Sequence, residues 1–239
     1  MWDAEIEQTK RHAARANEII EKITEQITPY VFENSCARIH VAIPLLKSSI
    51  DIAAAATHLL TTDPVQYGSA AEAMYRPQLE RYLRAIFFGS PALTTDDEVH
   101  GFLENDRMPR RPISSSREIA FGVLADRVSA ELVTQFGGTE EFAQQIADAI
   151  KLDKKDLHGS VHGGRIVLQR YQNEYVAHHP WALAQGAQIQ ITMLLAILAF
   201  TQVVHLHGMN GGSGKLVVSG EFSALLHQVM PRLPKPINR

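Results

Sequence analysis

Segment 181–207 constrains this chain more than any other. It is the most apolar stretch, yet its best run, 189–206, carries Gln190, Thr192, Thr201, Gln202 and His205. A helix that crosses a bilayer needs about 20 mostly apolar residues. Polar groups left in hydrocarbon would lack partners. The segment thus reads as a buried bundle helix, with a single membrane span as the alternative. The reading therefore places 181–207 as the buried central helix of a bundle, with no membrane partner.

The rest of the chain supplies helices to surround it. From Asp3 to about Val31, Ile6, Ala13, Ala16, Ile20, Ile23 and Ile27 recur at helical spacing, and charged residues fill the other faces. The spacing approaches a heptad, which serves either packing within a bundle or pairing with a second copy. A second helix is expected over about 43–60, with Pro44 in its first turn and a stop at Thr61-Thr62-Asp63-Pro64. A third is expected over about 68–88, kinked at Pro77. Thr94 or Thr95 caps a short helix to Asn105, and 107–116 reads as a loop. Ser115 with Glu118 resembles a capping box for a helix through Ile119, Val123, Leu124, Val128 and Leu132 to about Phe136. Further helices follow over 139–151, 156–172 and 222–230. No alternating strand set is present. The fold class is all-α, a single-domain bundle of about seven to nine helices. The domain spans 1–230, and 231–239 is an extended basic tail with three prolines.

Composition narrows the function. Twenty-three Lys and Arg against 26 Asp and Glu give a net charge of −3. A mildly acidic surface is not that of a general binder of double-stranded DNA, which relies on counterion release. A lone Cys36 excludes an intrachain disulfide framework and a cysteine zinc cluster. Cys36 itself reads as a small core residue. The acidic start, MWDAEIEQTK, lacks an apolar signal region, so the expected location is cytoplasmic. No cofactor motif stands. GGSGK lacks both the leading glycine, replaced by Met209, and the hydroxyl residue, replaced by Leu216, of a phosphate-binding loop. The Arg-to-His spacing of one class of helical ribonucleases is absent in strict form, since seven residues separate Arg170 from His178.

Two segments can carry chemistry. In Arg76-Pro77-Gln78-Leu79-Glu80-Arg81-Tyr82-Leu83-Arg84, the residues Arg76, Glu80 and Arg84 fall within an arc of about 80° on one helix face. A carboxylate between two guanidiniums is held ionised. Neighbouring Met74, Leu79, Leu83, Ile86 and Phe87 imply partial burial of that row. In His158-Gly159-Ser160-Val161-His162-Gly163-Gly164, two imidazoles lie one turn apart, as for an acid–base pair or two metal ligands. The glycines each cost a helix about 1 kcal/mol relative to Ala, a cost met where a backbone approaches something closely. Arg107, Arg110, Arg111 and Arg117 form an acid-free loop, read as a solvated turn or an anion contact.

RPxxExYxR followed far downstream by HxxxHGG resembles a widespread, poorly characterised family of helical bacterial proteins with an "RP-aromatic-E" helix and a "THGG" helix. The resemblance covers about 65–205 and rests on Arg76, Pro77, Glu80, Tyr82, Arg84, His158, His162, Gly163 and Gly164. That family is similar, at a distance, to the higher-eukaryote-and-prokaryote nucleotide-binding (HEPN-like) bundles, many of them RNA-cleaving or phage-defence proteins. The resemblance implies a cleft for a phosphate-bearing ligand, RNA or a nucleotide. His162 and His158 would serve as acid and base, with Arg76 and Glu80 beside them. Arg84, Tyr82, Gly163, Gly164 and Arg170 would contact the ligand. The plainest reading of the same residues makes Arg76, Glu80 and Arg84 an interhelical salt-bridge ladder and His162 a core histidine. Two functional alternatives also stand. One is a non-enzymatic homodimeric module joined through the first helix or 181–207. The other is a metal-dependent hydrolase using His158 and His162 with Glu80, His58 or Asp156.

Overall fold

The computed structural model describes residues 2–28, 36–111, 117–136 and 178–209. These form six helices: α1 Trp2–Ile27, α2 Ala37–Thr62, α3 Pro64–Gly89, α4 Asp96–Asn105, α5 Phe121–Phe136 and α6 His178–Met209. Among the described residues no strand occurs, and one isolated backbone bridge joins Arg110 to Glu118. The chain is all-helical there, as expected. The expected helices over 139–151, 156–172 and 222–230, and the tail, lie outside the described residues.

The α2–α3 hairpin is the frame. A single residue, Asp63, ends one helix and starts the other. Its extended backbone turns the chain, and its carboxylate accepts the N–H groups of Val65 (2.9 Å) and Gln66 (3.0 Å). Pro64 follows at the first helical position, where a missing N–H costs nothing. That cap moves the start of α3 to Pro64, four residues before the expected Gly68. α3 stays helical through Pro77.

At the open end of the hairpin, Arg38 ties α2 to the exit of α3. Its Nη1 donates to the carbonyls of Phe88 (3.0 Å) and Ser90 (3.3 Å) and to Thr94 Oγ1 (2.8 Å), and its Nη2 to the Thr94 carbonyl (2.6 Å). Its Nε donates to Asp96 (2.9 Å). One planar fork thus satisfies carbonyls that a helix end leaves without partners. The same tie corrects the start of α2. The helix begins at Ala37, so Pro44 lies inside it rather than in its first turn. Pro44 is exposed on that helix. Cys36 precedes this helix and is exposed, so it is not a core residue.

α6 packs against α1, α2 and α3. Gly68 lies against Gln185, Gln78 against Thr192 and Gly89 against Leu206, so α6 runs parallel to α3. At Gly68 a β-carbon would sit 3.0 Å from the Gln185 amide nitrogen, which explains a glycine inside a helix at this crossing. α2 and Gln185–His207 of α6 are both long and apolar enough to cross a membrane by composition. Half of the α2 window and 67% of the α6 window are nevertheless covered by the protein itself. The α1 stripe of Ala13, Ala16, Ile19, Ile20, Ile23 and Ile27 is buried within the chain, against α2 and α6. Its heptad-like spacing is therefore used in bundle packing, each isoleucine contributing roughly 1.5–3 kcal/mol.

α5 runs beside α3 in the same direction, Phe121 meeting Arg76 and Glu131 meeting Ser90. Its start corrects the expected capping box. Glu118 is bridged to Arg110, and the Ile119 N–H bonds the Pro109 carbonyl (2.9 Å). That extended segment lays Ile119 and Met108 into the core, so the helix waits until Phe121. Leu124, Val128 and Leu132 are buried as expected, whereas Val123 is exposed. The 107–111 stretch is not merely a solvated turn. Arg111 Nη2 donates to Glu98 Oε2 (2.9 Å), and Glu98 also closes the capping box of α4 with Thr95. That pairing holds the Glu98 carboxyl below its ordinary range and the Arg111 guanidinium above its own.

Candidate functional site

The α3 row forms as its spacing requires. Arg84 Nη2 donates to Glu80 Oε1 at 2.6 Å, and Arg76 Nε lies 3.7 Å from Glu80 Oε2. The three side chains are 18% (Arg76), 34% (Glu80) and 30% (Arg84) exposed, so the row is half-buried, as the apolar neighbours implied. One carboxylate serves two guanidiniums, and the row carries one surplus positive charge.

The two arginines are not equivalent. Arg84 makes a short charge-assisted bond to Glu80, while its Nε is buried without an acceptor. Arg76 has Glu80 only at ion-pair distance, too far for a hydrogen bond. Its guanidinium carbon instead lies 3.4 Å over the centre of the Phe121 ring. A guanidinium stacked on an aromatic face keeps its donors in the plane of the fork, directed away from the ring. Burial pushes the Arg76 pKa below its ordinary value, and Glu80 acts against that shift. The group is still a cation at neutral pH. A planar, ring-braced cation with no hydrogen-bond acceptor among the described residues is suited to bidentate recognition of a phosphate or carboxylate.

Phe121 is the residue that sequence reasoning missed. It lies 45 positions beyond Arg76, and no spacing links the two. Tyr82 is corrected in the opposite sense. It shares the motif with Arg76 but is fully buried in the core, on another side of α3. Its hydroxyl has no hydrogen-bond partner among the described residues, and burial pushes its phenol well above the ordinary range. A side chain without solvent access cannot contact a ligand at the arginine row.

The remaining expected site residues, His158, His162, Gly163, Gly164 and Arg170, lie outside the described residues, as does Asp156. His58 is exposed on α2, whereas Glu80 is engaged by Arg84. Among the described residues no three His, Cys, Asp or Glu side chains are grouped to hold a metal ion. His205 is exposed and His207 buried, so the two face different sides of α6. No family model matches the chain, and no curated protein or solved structure is significantly similar to it.

Proposed function

We propose that the α3 arginine row anchors a binding site for a phosphate-bearing ligand, a nucleotide or RNA, in a cytoplasmic helical bundle. One observation carries this reading. Arg76 is largely buried and braced on Phe121, and among the described residues its only partner of opposite charge is Glu80, 3.7 Å away and shared with Arg84, which takes the shorter bond. Burying such a group is costly without an acceptor, and an external oxyanion would supply one. The reading goes further on the sequence alone. His162 and His158 would supply acid and base for RNA cleavage, with Gly163, Gly164 and Arg170 at the ligand. The complete fold would hold seven to nine helices around 181–207.

The test is fluorescence anisotropy with a labelled single-stranded RNA and with ATP. Wild-type protein is expected to bind one of them with a steep loss of affinity at high salt. Arg76→Gln is expected to weaken binding at least about tenfold, the scale of one charge-assisted contact. His162→Ala is expected to abolish RNA cleavage and leave binding intact. Equal affinity of wild type and Arg76→Gln, or no binding of either ligand, would overturn the reading.

A further inference from the structure

α2 has an outward face that the bundle leaves open. Its buried residues, from Ile39 to Leu60, lie on one side, and the chain covers only half of its most apolar window. On the opposite side His40, Pro44, Asp51, Ala55 and His58 are exposed, with Lys47 partly exposed among them. Steps of three and four residues put all six on one stripe, about 27 Å long at 1.5 Å per residue. Leu45, Ile52 and Leu59 lie partly exposed along one edge of it.

Lys47 and Asp51 carry the charge of this stripe. Apart from Arg38 they are the only Lys, Arg, Asp or Glu in α2. They lie one turn apart, with the lysine N-terminal to the carboxylate, which is the less favourable order for pairing within a helix. Among the described residues neither makes an ion pair or a side-chain hydrogen bond, with the other or with any neighbour. The stripe therefore presents one cation and one anion on a helix face rich in apolar side chains.

A second copy of the same stripe supplies both opposite charges at once. Parallel pairing would set lysine on lysine and carboxylate on carboxylate. Antiparallel pairing about a two-fold axis level with Ser49 sets each Lys47 against the partner's Asp51, so the contact forms twice. The same register puts Pro44 beside the partner's Ala55, two compact side chains where the helices approach, and His40 opposite the partner's His58. A surface that complements itself about a two-fold is the commonest basis for pairing identical chains. The apolar stripe of α1, the other helix with a heptad-like pattern, is spent inside the bundle.

We propose that α2 is a homodimer interface, two copies packing antiparallel through this stripe with Lys47 and Asp51 paired across it. The arginine row on α3 takes no part. A contact along one helix of this length is smaller than a standard interface, so the dimer is weak and sensitive to salt.

The experiment is sedimentation equilibrium of the full chain at pH 7.5, where exposed histidines are neutral. At low salt, a monomer–dimer equilibrium is expected between about 10 and about 500 µM, the range for a contact below standard size. Lys47→Glu and Asp51→Lys are each expected to weaken it at least about tenfold, because each sets like charges together twice across the axis. Mixed in equal amounts, the two variants are expected to recover association as a heterodimer, since one then offers two acids and the other two lysines. That recovery also shows that both variants fold. A monomer throughout the range, a dimer indifferent to both substitutions, or a mixture that stays monomeric would overturn the proposal. A monomer that cosediments with phosphatidylcholine vesicles would overturn it too, and would give the face to a lipid surface.

Discussion

Tyr82→Phe is the substitution that most directly separates a ligand contact from a core residue. The side chain is completely buried within a cluster that includes Leu79, Leu83 and Ile86, and its hydroxyl has no hydrogen-bond partner among the described residues. A buried polar group without a partner costs about 1–3 kcal/mol in desolvation. Phenylalanine removes that cost and keeps the ring. The void left by one oxygen costs a few tenths of a kcal/mol. The expected net change is a stabilisation of about 1–2 kcal/mol. For a chain of this size that is roughly 2–8 °C in melting temperature, at about 2–4 °C per kcal/mol. Urea denaturation followed by circular dichroism measures it as a higher midpoint at unchanged slope. Tyr82→Ala provides the control, with an expected loss of about 3–5 kcal/mol for deleting a buried aromatic ring. Affinity at the arginine row should not respond to Tyr82→Phe. A destabilisation of about 1 kcal/mol or more would show that the hydroxyl has a partner in the folded protein, and the burial argument would fail.

Arg38→Ala removes bonds to three carbonyls, a hydroxyl and a carboxylate together, and should destabilise by about 2–4 kcal/mol in the same urea assay. Arg38→Lys should recover less than half of that, because an ammonium cannot span the fork. An Arg38→Ala protein as stable as wild type would remove the α3 cap from the account. Glu98 has a folded pKa below its ordinary value, so its contribution is present above the unfolded value of about 4.3 and is lost as pH falls through the folded one. The effect is expected to stay under about 1 kcal/mol, since the pair is partly open to solvent. Melting curves between pH 3 and 6 should show a shallower acid decline for Glu98→Gln than for wild type. Parallel declines would count against the Arg111 pairing.

The local and periodic part of the fold is legible from the residue order alone. The isoleucine and alanine spacing of α1, a threonine cap for α4 at Thr94 or Thr95 and the Arg76–Glu80–Arg84 row follow from the 3.6-residue turn and from which side chains can bond a nearby backbone. Such features reach only four residues along the chain, so spacing alone reveals them. Helix starts were read less well. Pro64 and Pro44 look alike as punctuation, and only the Asp63 cap and the Arg38 tie show that one begins a helix and the other lies within one. The tertiary structure decided the rest. It placed Phe121 under Arg76, Glu98 against Arg111, Tyr82 in the core and Ser90 beside Glu131. Each of these depends on how helices pack across tens of residues, and packing is governed by shape and burial, which no residue spacing encodes.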